Sequence, residues 1–124
     1  MNKVKSKGQS EYTKKAMVKC NLDMLPVRDA LTVLQGKWKI PLLISISHGN
    51  HRFKEIMRSI SKLTDKSLSK ELKELVEDQL IVREVFDEFP PRVEYRLTEH
   101  AYTLTNVIES LKEWGIIHRK KILG

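Results

Sequence analysis

Cys20 is the single cysteine in the 124 residues. An internal disulfide framework is therefore excluded, and the thiol content fits a reducing cytoplasm. No apolar run approaches the roughly 18 residues that a membrane span needs. The N-terminal lysines are followed by no apolar stretch, which excludes a secretory signal as the reading of that segment. The five glycines are scattered, so no glycine-rich loop is available to cradle a nucleotide phosphate. His48 and His51 stand three apart in "HGNH", and no set of Cys, Asp or Glu at ligand spacing completes a zinc site around them. His100 and His118 lack a matching partner. Ser, Cys and His are present, but in no recognisable nucleophile motif. No catalytic residue, metal ligand or cofactor is assigned. A hydrolase with a basic substrate groove is the surviving enzymatic option, and it has no constellation to carry it.

What the sequence does have is placed positive charge. Hydrophobic residues make up 40% and charged residues 31%, a balance that predicts a folded soluble core. The length suits one domain with a tail. Residues 1–19 hold six lysines against Glu11, with scattered Ser, Gly and Gln, and read as a flexible basic arm. Residues 20–124 are the domain. The formal charge of +7 is uneven: residues 37–73 hold nine bases and three acids, whereas residues 74–124 hold seven bases and ten acids. A basic block on a folded domain points to a polyanion partner, although a solvated lysine face has the same composition.

Hydrophobic spacing orders the elements. A first helix is predicted over 26–35, opened by Pro26, carried by Val27, Ala30, Leu31 and Leu34, and stopped by Gly36. A second runs from Trp38 to Ser47. Its "IPLLISI" is apolar on nearly every side and should be central, with Pro41 tolerable only in the first turn. A third begins near Phe53, with Phe53, Ile56, Met57 and Ile60 on one face. After the break "SKL", Thr64 should cap a fourth. The period then changes. "LIVREVF" is rich in β-branched and aromatic residues, and "RVEYRL" alternates Val93, Tyr95 and Leu97 with Arg92, Glu94 and Arg96. With "DEFPP" as the turn, this is a β-hairpin over 80–97. Thr98 caps a final helix over about 99–121. The expected fold class is mainly α with a small hairpin (α+β). The order matches a winged helix-turn-helix: a three-helix core, a wing, and a long C-terminal dimerisation helix.

The fourth helix carries the functional expectation. Across "TDKSLSKELKELVEDQL", at about 100° per residue, Leu68, Leu72, Leu75 and Val76 fall on one side and Lys66, Ser67, Lys70 and Lys73 on the other. Its charge order opposes the helix dipole. Lysines crowd the positive N-terminal turns, where only Asp65 helps, and Glu74, Glu77 and Asp78 crowd the negative end. If the helix is the recognition element of a DNA-binding unit, the lysines face phosphates and the pattern has a use. The candidate DNA contacts there are Thr64, Lys66, Ser67, Ser69, Lys70 and Lys73. These residue types mostly touch phosphate; no Arg, Asn or Gln in the first two turns offers bidentate base readout. Arg52 adds a backbone contact or a salt bridge to the wing. Arg92 at the hairpin tip reaches DNA or pairs with Asp87 or Glu88. The expected partner is double-stranded DNA with a pseudo-palindromic operator. A protein-interaction or RNA-binding module would use the same face.

The final helix is long for a domain of this size. Leu111, Trp114 and Ile117, with Leu104, Val107 and Ile108, exceed what one core can cover. A homodimer is expected through these residues and Val27, Leu31 and Leu34, with the N-terminal segment crossing to the partner. A pocket lined by Trp38 and Trp114 would suit a small-molecule effector, whose identity no residue names. Cys20, beside Lys19, reads either as a redox sensor or as an ordinary cysteine.

"PVRDALTVLQGKWKIPLL", "RFKEI", "TDKSLSKELKELVEDQLIVR" and "PPRVEYRLTEHAYTL", in that order, resemble the HxlR-type winged helix-turn-helix regulators of bacteria. The resemblance covers about residues 24–118. It implies a dimeric cytoplasmic transcription regulator with the helix at 64–78 in the major groove. Lys37 and Trp38 fall in the family's "GKW", with Trp38 read as core and Lys37 as a backbone contact. Two positions depart from the pattern. Leu25 stands where sensing members carry a cysteine before the proline, and Ala101 replaces a glycine after "LT".

Overall fold

The computed structural model describes residues 21–124. Cys20 and the basic arm of residues 1–19 lie outside the described residues. The chain divides after Val33 into two units. The first contributes helix α1 (Asn21–Val33). The second holds α2 (Lys39–Ser47), α3 (Phe53–Ser59), α4 (Asp65–Glu77), β1 (Ile81–Phe86), β2 (Arg92–Leu97), α5 (Glu99–Tyr102) and α6 (Thr105–Leu123).

Helix α1 begins earlier than the expected 26–35, so Pro26 lies inside it rather than at its start. The ring removes one intrahelical hydrogen bond, and a helix start inferred from proline preference alone falls too late. Val27 and Leu31 are exposed, and Val33 and Leu34 half-buried. Beyond it, Gly36 takes a φ of +88°, a left-handed conformation that glycine adopts without strain.

In the second unit, α2 is central, as its apolar sequence predicts. Leu42, Leu43 and Ile46 are buried, while Ile44 is partly exposed. Pro41 sits in the first turn, where its missing N–H costs nothing. Ser45 Oγ lies 2.6 Å from Ser59 Oγ, tying α2 to α3. Helix α3 is capped by Glu55, whose carboxylate accepts from the backbone N–H of His51 and Arg52 at 3.0 and 3.1 Å. These bonds hold the Glu55 carboxyl below its ordinary range, the Arg52 bond first. A turn through Lys62, at φ 68°, leads to α4.

The hairpin pairs Ile81 with Leu97, Arg83 with Tyr95, Val85 with Val93 and Phe86 with Arg92. The segment before α3 joins it. Tyr95 N–H donates to the His51 carbonyl at 2.7 Å, and His51 Nδ1 lies 3.0 Å from the Tyr95 carbonyl. His51 is thus occupied as a splice between helix-turn-helix and wing. Helix α4 packs on β1, and α2 on α3 and β2. The architecture is a winged helix-turn-helix: α3, the turn and α4, followed directly by the wing.

The final helix expected over 99–121 is interrupted. Thr98 Oγ1 accepts from Ala101 N–H at 3.1 Å and starts α5, and Ala101 is buried under it. The chain then tightens. Thr103 and Leu104 donate to carbonyls three residues back, and the hydroxyls of Thr103 and Thr105 take the carbonyls of His100 and Tyr102 at 2.6 and 2.8 Å. Three threonines within eight residues let side-chain bonds compete with the α-helical ladder. Helix α6 restarts at Thr105, and none of its residues is buried.

Candidate nucleic-acid interface

Helix α4 starts where its sequence says. Thr64, in an extended conformation, accepts from Ser67 N–H at 3.1 Å, and Asp65 provides the favourable acid in the first turn. Leu68 and Leu75 are 0% exposed and Leu72 2%. Val76 is half-buried. The opposite face leaves Lys66, Ser69, Lys70 and Lys73 exposed, with Ser67 half-buried at the cap.

The acids of α4 do not share that face equally. Lys39, 3% exposed at the start of α2, sends its ammonium to Glu71 Oε1 at 2.6 Å and Glu74 Oε1 at 2.5 Å. Glu71 is itself buried. From the outer side, Lys70 Nζ stands 3.3 Å from Glu74 Oε2 and 3.6 Å from Glu71 Oε2. Two ammonium groups thus meet two carboxylates. Burial alone would lower the Lys39 pKa, but its hydrogen bonds to Glu71 and Glu74 outweigh that and raise it. The Glu74 carboxyl is held below its ordinary range, by Lys39 first and Lys70 second. Lys39 is the site residue missed from the sequence: it stands between Trp38 and Ile40, and nothing nearby in the chain signals partners 32 and 35 residues away. The consequence is electrostatic. Buried Glu71 and half-buried Glu74 are neutralised within the domain, and Lys66 and Lys73 stay outward without an ion pair among the described residues.

The remaining candidates separate. Lys37 lies over the Trp38 ring at 5.0 Å, on the exposed connection into α2. Arg52 is exposed at the start of α3 and forms no ion pair with the wing; it lines a cleft with Lys54, Arg58, Pro91 and Val93. Lys54 and Arg58 are cations that sequence spacing did not single out. Arg92 is drawn into the wing: Nη1 donates to Glu88 Oε2 at 2.6 Å, Nε lies 2.9 Å from Glu94 Oε2, and the guanidinium covers Phe86 at 4.1 Å. Of the two readings of Arg92, the geometry has the ion pair with Glu88.

Leu111, Trp114 and Ile117 are 49%, 61% and 53% exposed on α6, beside Val107, Ile116 and Ile122. Trp114 stacks on His118 with centroids 4.9 Å apart. Among the described residues no helix is long and apolar enough to cross a membrane, and no three His, Cys, Asp or Glu group as a metal site.

The family model of the HxlR-like helix-turn-helix matches residues 33–122. The chain is 41% identical over 110 residues to the uncharacterised HTH-type transcriptional regulator BH0655 of Halalkalibacterium halodurans, covering 88% of this chain and 95% of that one. It is 36% identical over 100 residues to the uncharacterised HTH-type regulator YtcD of Bacillus subtilis, covering 81% and 79%. The crystal structure of a protein described as a MarR-family transcriptional regulator from Enterococcus faecalis superposes with a TM-score of 0.71 at 35% identity, over 89% of this chain and 98% of that one. A lysine-faced second helix, a wing following it directly and this extent of matching lead to one assignment: the chain belongs to the HxlR-like helix-turn-helix family of transcriptional regulators.

Proposed function

We propose that the protein is a sequence-specific regulator that binds double-stranded DNA as a homodimer and catalyses no reaction. Helix α4 enters the major groove and the hairpin lies on the flanking groove. The observation that carries this reading is the sorting of charge on α4: leucines inward, Glu71 and Glu74 tied to Lys39, and Lys66, Ser69 and Lys73 outward. Lysines at a helix N-terminus reinforce its partial positive charge and suit a phosphate. In this reading Thr64, Lys66, Ser67, Ser69, Lys70 and Lys73 together face phosphates and base edges, with Lys37 and Arg52 toward the backbone.

The second copy is inferred from α6. A 19-residue helix with no buried residue and apolar side chains along its length is an unfinished surface. Pairing through α6 and α1, using Leu111, Trp114, Ile117, Val27, Leu31 and Leu34, would place two α4 helices roughly 34 Å apart for a pseudo-palindromic operator in the cytoplasm.

The test is fluorescence anisotropy with an operator duplex selected from genomic DNA, across a salt series. Affinity should fall steeply and log-linearly with salt. Lys73→Ala should weaken binding more than Lys70→Ala, because the Lys70 charge is already shared with Glu71 and Glu74. Equal competition by random duplex and structured RNA would favour an RNA-binding or protein-interaction module instead.

A further inference from the structure

The wing carries three arginines, and the structure treats them differently. Arg96 donates to Glu84 Oε1 at 3.0 Å and to Glu94 Oε1 at 2.6 Å. Arg92 is held by Glu88 and Glu94. Arg83 is exposed and forms no ion pair among the described residues. The hairpin register explains the division. Side chains alternate between faces, and cross-strand partners share one. Glu84 with Glu94, Val82 with Arg96, and Phe86 with Arg92 occupy one face, where the carboxylates neutralise both arginines. Arg83 with Tyr95 occupies the other, between Ile81–Leu97 and Val85–Val93, and is the only charge on it.

That second face meets the recognition helix. Arg83 and Tyr95 line a cleft of about 430 Å³ with Ser69, Leu72, Lys73, Val76 and Glu77 of α4. Leu72, Val76 and Tyr95 make part of its lining apolar, and Lys73 and Arg83 bring cations to it from two different elements, with Ser69 also lining it. Glu77 is the one carboxylate at the cleft; it stands in the last turn of α4, a full turn beyond Lys73. The tip, by contrast, presents Asp87 and Glu88, which repel a polyanion.

We propose that Arg83, Lys73 and Ser69 form a seat for one phosphodiester of the DNA backbone at the junction of recognition helix and wing, so that the wing engages DNA at its base rather than through Arg92 at its tip. The inference rests on the DNA-binding reading above and names a contact within it. A guanidinium and an ammonium converging over apolar side chains bind phosphate more strongly than either would in open solvent. The contact fixes the angle between α4 and the groove and carries no base information.

The experiment compares Arg83→Ala, Arg83→Lys, Arg92→Ala and Arg96→Ala in full-length protein, by anisotropy with the operator duplex and with a random duplex from about 50 to 300 mM salt. Circular dichroism checks the fold of each variant. Arg83→Ala should weaken both duplexes roughly fivefold or more at low salt and reduce the slope of log K against log salt by about one. Arg83→Lys should keep the slope, because the charge is kept. Arg92→Ala and Arg96→Ala should leave the slope unchanged. Wild-type slope and affinity in Arg83→Ala, or the slope loss appearing in Arg92→Ala, would overturn the proposal. If wild type prefers the operator and Lys73→Ala weakens it while Arg83→Ala does not, only this contact is wrong. If wild type shows no preference for duplex DNA, the reading beneath it fails.

Discussion

Helices α4 and α6 both carry apolar residues at helical spacing, yet the structure completes one and leaves the other open. Leu68, Leu72 and Leu75 of α4 vanish into the core, whereas Leu111, Trp114 and Ile117 of α6 each keep about half their surface or more. The difference lies in what the chain supplies opposite each. α4 meets β1, and Lys39 of α2 neutralises its acids. On α6, by contrast, no residue is buried and only Ile108 is half-buried. A stripe reads the same in either setting, so an apolar pattern states only that something must cover it. On α4 the cover is intramolecular and the leftover polar face is free for a ligand; on α6 the cover is proposed to be a second copy.

The comparison breaks most visibly at Lys39. Lys39→Met leaves buried Glu71 with only the longer contact to Lys70 at 3.6 Å and should lower stability by up to about 3–5 kcal/mol, read as the urea midpoint. Retention of wild-type stability would mean that the buried pair does not hold α4. Trp114→Ala should do the opposite: sedimentation should shift from dimer to monomer while circular dichroism keeps the helical signal. A variant that remains dimeric would move the interface off α6.

Acid titration tests the same contrast with a smaller effect. The Glu74 and Glu55 carboxyls titrate below their ordinary value of 4.5 in the folded chain. Their contribution is therefore present above about pH 4.5 and lost as pH falls through the lowered folded values. Lys39 is raised above 10.5, so its contribution is complete below that pH and lost as pH rises beyond it. The melting temperature should be flat between these limits and fall on both sides, with Glu74→Gln reducing the acid-side loss. An unchanged acid limb in that variant would contradict the pairing. The smallest effect is expected after α4. Gln79 closes the helix in the left-handed region at φ 62°, with Gln79 N–H donating to Val76 and Leu80 N–H to Leu75, each at 3.0 Å. Gln79→Gly should relieve that conformation and raise stability by up to about 1 kcal/mol in thermal melts.

The same contrast explains what could be read from residues alone. Thr64, the leucine spacing and the alternation of "RVEYRL" are local signals, and helix-turn-helix and wing follow from them with boundaries correct to about a residue. The interruption between α5 and α6 was hidden because threonine hydroxyls that divert carbonyls are also acceptable helix residues. Long-range polar pairing was hidden more deeply. Nothing local marks Lys39 as buried or His51 as a link to the wing, and Arg92 stays open between DNA and Asp87 or Glu88 until strand register fixes its neighbours. Arg83 carries no local signal for the same reason, since which face of a hairpin lies against a helix is a property of the packed domain.

Hydroxyl-radical footprinting of the purified protein on its operator addresses the central claim most directly. Two copies of α4 should protect two backbone segments on one side of the duplex, centred about 10 base pairs apart, and both should disappear together in Lys73→Ala. A single protected segment, or a pair that survives that substitution, would contradict the account.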